Sequence, residues 1–115
     1  MQRIVINQLV TMKQAVTPDE GELVYNEILP FLQRGETVAL DFSGIELMTT
    51  AFLNVAIGSL YKNYSSETLS RLLQLDNLSQ GDAIRVKRVT DTAKSFYANT
   101  QSFEHSVENA IYGKD

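Results

Sequence analysis

The sequence predicts an α/β fold, in which a small mixed β-sheet packs with α-helices in a single domain over residues 1–115. A nearly continuous apolar run at 36–42 lies between two glycines, a pattern typical of a strand buried on both faces. A proline-led helix start precedes this run, and apolar residues at helical spacing follow it. A chain of 115 residues suits one hydrophobic core and is too short for two.

The composition of the chain argues against several classes of function. Apolar residues at 43% and charged residues at 21% are close to globular averages, and a net charge of −4 opposes binding to nucleic acid. No apolar stretch approaches the roughly 20 residues that span a bilayer, and the N-terminal apolar run is too short for a signal peptide. We therefore expect a cytoplasmic protein without membrane contact. With no cysteine and only His105, we expect neither a resident metal nor a cofactor.

The residues before the central run predict two strands and a helix. Ile4 and Ile6 lie on one face of a strand over 3–9, and a shorter strand is expected at 13–16. The sequence Thr-Pro-Asp-Glu at 17–20 combines an N-cap, a proline at the first helical position and a glutamate three residues after the cap, so a helix begins there.

Proline also bears on where this helix ends. Pro30 lacks a backbone donor and crowds the carbonyl four residues earlier, so we expect the helix to kink there or to end near Leu29. Its apolar stripe is predicted to comprise Val24, Ile28, Phe31 and Leu32.

The residues after the central run predict further helices and one strand. Residues 50–64 form a largely buried helix, and 71–75 form a strand that pairs in parallel with 36–42. A cap at 79–82 opens a long helix. A separate short docking helix is predicted at the end from the stripe Phe103, Val107 and Ile111.

The segment VALDFSGIELMTTAFLN resembles the signature of STAS domains, the fold of bacterial anti-sigma factor antagonists, and more closely that of STAS-like families found near ATP-binding regulatory kinases. Thr50 falls where the antagonists carry the hydroxyl that their partner kinase phosphorylates. Thr49 stands in place of the family's acidic residue, and Phe52 replaces its glycine. The other matching positions are Asp41, Ser43 and Gly44 in the loop and Ile45, Leu47 and Met48 as its hydrophobic residues.

This resemblance implies a non-enzymatic regulatory module that binds a protein, with an ATP-binding anti-sigma-type kinase as the implied partner. Thr50 is the first candidate for phosphorylation and Thr49 the second. On the residues alone, Thr49 is expected to cap the helix, and a phosphate on Thr50 would meet the positive helix end. The predicted partner-binding residues are Asp41, Ser43, Gly44, Asn54 and Gly58.

The exposed face of helix 50–64 supports this surface. Thr50, Asn54 and Gly58 recur at near-helical spacing and form its least apolar stripe, which suits either close approach by a partner or simple solvation.

Two alternatives belong to other classes of function. Asp41 and Asp76 each follow an apolar strand, so both are expected at the carboxyl edge of the sheet, where two carboxylates could hold Mg²⁺ in a small phosphohydrolase. The chain lacks a glycine-rich phosphate loop, and these aspartates equally suit loop and helix capping. The second alternative is a structural domain that forms oligomers through helix 50–64.

Overall fold

A computed structural model describes the backbone of residues 1–112 and the side chains of residues 1–98. Two short 3₁₀ helices, Ile6–Gln8 and Gly58–Lys62, accompany the main elements. The predicted α/β class is confirmed. The elements are β1 (Gln2–Val5), β2 (Gln14–Ala15), α1 (Pro18–Gln33), β3 (Val38–Asp41), β4 (Leu47–Met48), α2 (Thr50–Ala56), α3 (Ser66–Leu72), β5 (Leu73–Asp76) and α4 (Gln80–Tyr112).

The strands form two small sheets. The larger has the order β1–β3–β5, and the smaller pairs β2 with β4. All the named strand pairs of residues 1–112 are parallel, and the antiparallel element is a single bridge between Thr11 and Gln14. The predicted mixed sheet is therefore parallel, while the central place of β3 and its parallel pairing with β5 are as predicted.

β3 is buried on both faces, as its apolar run predicts. Val38, Ala39 and Leu40 are at most 1% exposed. Val38 and Leu40 belong to the main hydrophobic cluster, together with residues of α1 and α2. Ala39 lies on the other face, in register with Arg3 and Gln74, so the long side chains of the neighbouring strands flank it.

α1 begins as predicted but does not end as predicted. The Thr17 hydroxyl accepts a hydrogen bond from the Glu20 backbone N–H at 3.1 Å. The helix continues through Pro30 to Gln33, so the expected kink or early end is wrong. Pro30 is exposed, as is the residue whose carbonyl loses its donor, so water can solvate that carbonyl. Ile28 and Leu32, on either side of the proline, stay buried and hold the last turn.

α1 and α2 touch at backbone distance. A Cβ built on Gly21 would lie 2.6 Å from the Phe52 carbonyl oxygen and 3.1 Å from Cβ of Val55. Such a close approach requires glycine. It fixes α2, and therefore the threonines that open it, against the core.

The predicted helix over 50–64 is shorter in the structure. α2 ends at Ala56, Ile57 has φ −120° and ψ −47°, and a 3₁₀ helix follows. The sequence analysis also missed α3, which Ser65 caps by accepting from the Thr68 N–H at 3.1 Å. The predicted strand over 71–75 consequently begins later, at Leu73.

α4 runs without interruption to Tyr112, so the predicted break before a separate docking helix is absent. The side chains of the stripe proposed for that helix, Phe103, Val107 and Ile111, lie outside the described residues. Within the part of the chain that the structure describes, no helix combines the length and apolar character needed to cross a membrane.

Candidate functional site

Two carboxylates lie side by side at the carboxyl edge of the larger sheet. Asp41 and Asp76 are register partners on β3 and β5. The Arg3 guanidinium contacts Asp41 at 3.4 Å and Asp76 at 3.0 Å. Because β3 lies between β1 and β5, the Arg3 side chain crosses over the central strand to reach Asp76. The predicted meeting of the two aspartates is confirmed, and a cation of the chain already balances both.

Asp41 accepts two hydrogen bonds in addition to its contact with Arg3. It accepts hydrogen bonds from the Asn77 side-chain amide at 2.8 Å and from the Ser43 backbone N–H at 2.9 Å. These bonds, the Asn77 bond foremost, lower the pKa of Asp41 from 3.8 to about 2, and the charge of Arg3 adds to the effect. Asp41 therefore carries a negative charge at neutral pH and shapes the start of the following loop.

The loop after β3 needs glycine at position 44. Gly44 has φ +79°, a conformation that side-chain-bearing residues rarely adopt. A Cβ at this position would also lie 3.0 Å from the Asn7 side-chain nitrogen. At Gly44 the loop after β3 thus lies against the 3₁₀ helix that follows β1.

The start of α2 depends on Thr49, whose hydroxyl makes two hydrogen bonds. It accepts from the Phe52 N–H at 3.2 Å and donates to the Val16 carbonyl at 2.6 Å. The Thr49 N–H donates to the Ala15 carbonyl at 3.0 Å. The predicted helix cap is confirmed, and the same residue ties α2 to the segment after β2.

Thr50 differs from its neighbour. It is exposed in the first turn of α2, and its hydroxyl has no hydrogen-bond partner among the described residues. Asn54, one turn later, is also exposed. The predicted exposure of Gly58 is wrong, because α4 covers it: a Cβ there would lie 3.6 Å from Val89 and 3.8 Å from Ala93. Gly58 is a packing residue and does not extend the stripe.

The predicted site residues therefore form two groups. Asp41, Ser43 and Gly44 lie at the sheet edge, whereas Thr50 and Asn54 lie on α2. The chain between them pairs with β2 as β4. No hydrogen bond or ion pair within the described part of the chain joins the two groups.

The aspartate pair does not extend into a larger acidic cluster. Among the described residues, no three His, Cys, Asp or Glu side chains are placed to hold a metal ion together. A cation bound between Asp41 and Asp76 would have to displace Arg3 from both.

A family model described as a STAS-like domain of unknown function (DUF4325) matches residues 20–83. The chain belongs to this family. The match extends from the first turn of α1 into the first turn of α4, so the STAS-like domain includes the loop after β3 and all of α2. Comparison with curated proteins gave no match, and comparison with solved structures gave none either.

Sequence analysis missed two residues at the sheet edge of this STAS-like domain, Arg3 and Asn77. Arg3 lies on β1, outside the matched range, and its contacts to β3 and β5 depend on the strand order. Asn77 follows Asp76 with φ 62°, a backbone conformation that asparagine tolerates better than most residues. An Asp-Asn pair directly after a strand is the signal that could have identified Asn77.

Proposed function

We propose that this STAS-like domain is a regulatory module that acts by binding another protein and not by catalysis, and that phosphorylation of Thr50 switches the binding. The observation that carries the proposal is the contrast between adjacent hydroxyls. The Thr49 hydroxyl makes two hydrogen bonds that stabilise the fold, whereas Thr50 is exposed and its hydroxyl makes none to the described residues.

The position of Thr50 determines what the modification can do. A phosphate adds a charge of about −1.5 to −2 and three acceptor oxygens at neutral pH. On Thr50 it breaks no hydrogen bond of the described structure, so the domain stays folded and the change is sensed by whatever contacts α2. On Thr49 it would remove the cap and the bond to the Val16 carbonyl. Thr50 is therefore preferred to Thr49.

The proposed contact surface comprises the start of α2 with Asn54 and the loop after β3 with Ser43. Both are exposed, and the loop is fixed by the Asp41 hydrogen bonds. A preformed surface limits the entropy lost on binding. The proposed partner, an ATP-binding anti-sigma-type kinase, rests on the family resemblance.

The test first searches the neighbouring genes for an ATP-binding kinase-like domain of the anti-sigma type and then mixes the purified chain with that protein. We expect the kinase to bind the unmodified chain, to phosphorylate Thr50 in the presence of ATP, and to release the product. Mass spectrometry of peptides locates the phosphate, and calorimetry measures binding. Thr50→Ala should bind without being phosphorylated, and Thr50→Glu should bind more weakly.

Thr92 on α4 is also exposed and provides the matched control. Thr92→Ala and Thr92→Glu should behave like the unmodified chain. The proposal is wrong if the kinase binds none of these proteins, or if the phosphate is found on a residue other than Thr50.

A further inference from the structure

Two exposed apolar side chains lie at the smaller sheet, close to the start of α2. Met12 is 79% exposed in the turn before β2, and Leu47 is 48% exposed on β4. Gln14, two residues after Met12, is the register partner of Leu47, so both residues lie near the amino ends of the two parallel strands. Leu47 also lies three residues before Thr50, a span of at most about 10 Å of chain. Met12, Leu47 and Thr50 therefore belong to one region of the surface.

Hydrogen bonds hold the turn that carries Met12 on both sides. Before the turn, the Thr11 backbone N–H donates to the Glu20 carboxylate at 2.8 Å. After it, the Lys13 carbonyl accepts from the Glu46 backbone N–H at 2.9 Å, which joins the turn to the residue before β4. An ordered backbone therefore presents Met12 to solvent, with φ 57°, a conformation that methionine rarely adopts.

Neither apolar side chain contributes to the core. Among the described residues, the hydrophobic cluster includes Met48 but neither its neighbour Leu47 nor Met12. An exposed methionine with a positive φ costs stability and adds no core packing, and a costly conformation that persists is a guide to function. Methionine side chains are also flexible and suit contacts with another protein. The two side chains are therefore candidates for an intermolecular contact.

The charges that flank these two side chains balance each other. Lys13 follows Met12, Glu46 precedes Leu47, and their ammonium and carboxylate groups are 3.9 Å apart. An apolar surface can cover Met12 and Leu47 without leaving one of these charges unpaired. A phosphate on Thr50 changes this situation, because it adds a charge of about −1.5 to −2 beside the apolar pair.

We infer that Met12 and Leu47 form the apolar part of the surface that binds the ATP-binding kinase, and that a phosphate on Thr50 weakens the complex by disturbing this apolar contact. The inference rests on the function proposed above. The kinase is the occupant because it has to reach the Thr50 hydroxyl, three residues from Leu47, and it presents an apolar group to the pair. Closing that contact over a phosphate would remove a charge from water, which is costly.

The experiment measures binding of the kinase to variants of the full chain by calorimetry. Leu47→Ser should weaken binding at least about tenfold, the effect of losing one well-buried apolar side chain. Met12→Asn should also weaken binding, yet it should make the chain more resistant to urea, because asparagine tolerates a positive φ better than methionine. A purely structural role of Met12 would not produce a more stable chain that binds less tightly.

Leu23 on α1 provides the matched control, because its side chain is 51% exposed. It follows Gly21 by two residues and so lies on the side of α1 away from α2. Leu23→Ser should bind the kinase like the wild type. All three changes affect exposed side chains, so the variants are expected to fold, and the amide NMR spectrum of each verifies this.

A double variant tests the link to phosphorylation. Thr50→Glu should weaken binding less in the Leu47→Ser background than in the wild type, because the contact that it disturbs is already lost. Additive effects of the two changes would overturn this link.

The outcomes distinguish the inference from the proposed function. If the kinase does not bind the wild type, both are wrong. If it binds and phosphorylates the wild type but binds Leu47→Ser equally well, or loses as much affinity for Leu23→Ser, the inference alone is wrong. Light scattering of the chain without kinase completes the test, since a dimer that Leu47→Ser dissociates would make a second copy the occupant and would also overturn the inference.

Discussion

Gly21 lies so close to the carbonyl oxygen of Phe52 that a Cβ at position 21 would sit 2.6 Å from it. The contact joins the first turn of α1 to the first turn of α2, where Thr49 and Thr50 are located. The placement of the proposed surface thus depends on a residue that carries no side chain. Close packing of this kind transmits small changes in volume to the backbone.

Replacement of Gly21 by alanine should lower the free energy of unfolding by about 1–3 kcal/mol, because the two helices must separate to admit the methyl group. Urea unfolding followed by circular dichroism measures the change. Gly81→Ala is the matched control, since a Cβ there meets nothing within 4 Å. It should raise the free energy by about 0.4–1 kcal/mol. Equal effects at the two positions would contradict the close contact.

The two adjacent threonines should differ sharply when each is changed to alanine. Thr49→Ala removes a cap and leaves the Val16 carbonyl without its donor, so it should lower the free energy of unfolding by about 1–2 kcal/mol. Thr50→Ala should change it by less than about 0.5 kcal/mol, because the side chain is exposed. Urea unfolding of the two variants in parallel provides the comparison, and a large loss for Thr50→Ala would show that its hydroxyl has a structural role.

The turn before β2 contains two residues in an unfavourable backbone conformation. Met12 and Lys13 have φ 57° and 59°, in a turn closed by the hydrogen bond from the Gln14 N–H to the Thr11 carbonyl at 3.1 Å. Two consecutive positive φ values define a type I′ turn, for which Asn-Gly is the preferred pair.

Substituting Asn-Gly for Met12-Lys13 should therefore raise the free energy of unfolding by about 1–2 kcal/mol. The Ala-Ala double variant is the control, because it removes the same side chains but keeps the unfavourable Cβ atoms. Thermal and urea unfolding should show stabilisation for Asn-Gly alone. Equal stabilisation by Ala-Ala would mean that the side chains, and not the backbone, are the cause.

Asp41 should make stability depend on pH in the acid range. Its pKa is about 2 in the fold against an ordinary value of 3.8, so the unfolded chain binds a proton at this residue more readily. The stabilisation it provides is complete above pH 3.8 and is lost as the pH falls through 2. The difference in unfolding free energy between the wild type and Asp41→Asn should therefore shrink across this window.

The cause of the shift can be tested on the same carboxyl. Asn77 makes the largest contribution, so in Asn77→Ala the pKa of Asp41, followed by carboxyl ¹³C NMR, should rise towards 3.8. Asn26 on α1 is exposed and serves as the control, and Asn26→Ala should leave the pKa unchanged. An unaltered titration in Asn77→Ala would exclude that hydrogen bond as the main cause.

The elements that sequence analysis predicted correctly are those with local signals. The cap at Thr17, the apolar run of β3 and the aspartates that end β3 and β5 are each encoded within a few neighbouring residues. The cap of α2 at Thr49 belongs to the same class. Caps and strand ends depend on nearby backbone groups, so a short window of sequence suffices to recognise them.

The features that were missed depend on distant contacts or on overlapping patterns. Gly58, expected on the exposed face of a longer helix, packs against α4, a contact that no local pattern encodes. In the sequence Leu-Ser-Arg-Leu-Leu-Gln-Leu, Leu69 and Leu72 are buried from a helix, whereas Leu75 lies on a strand. The first part of this apolar run thus has the spacing of a helix, and the second part has the spacing of a strand. The role of Arg3 required the order of the strands.

That strand order also has a consequence for synthesis of the protein. Of the three strands of the larger sheet, the central strand β3 is synthesised second. It can pair with β5 only after Leu73–Asp76 has left the ribosome. Until then a nascent chain carries an incomplete sheet with an unpaired apolar edge, a form prone to aggregation. Arg3 lies on β1 and Asp76 on β5, so the ion pair that links the three strands can form only at that late stage.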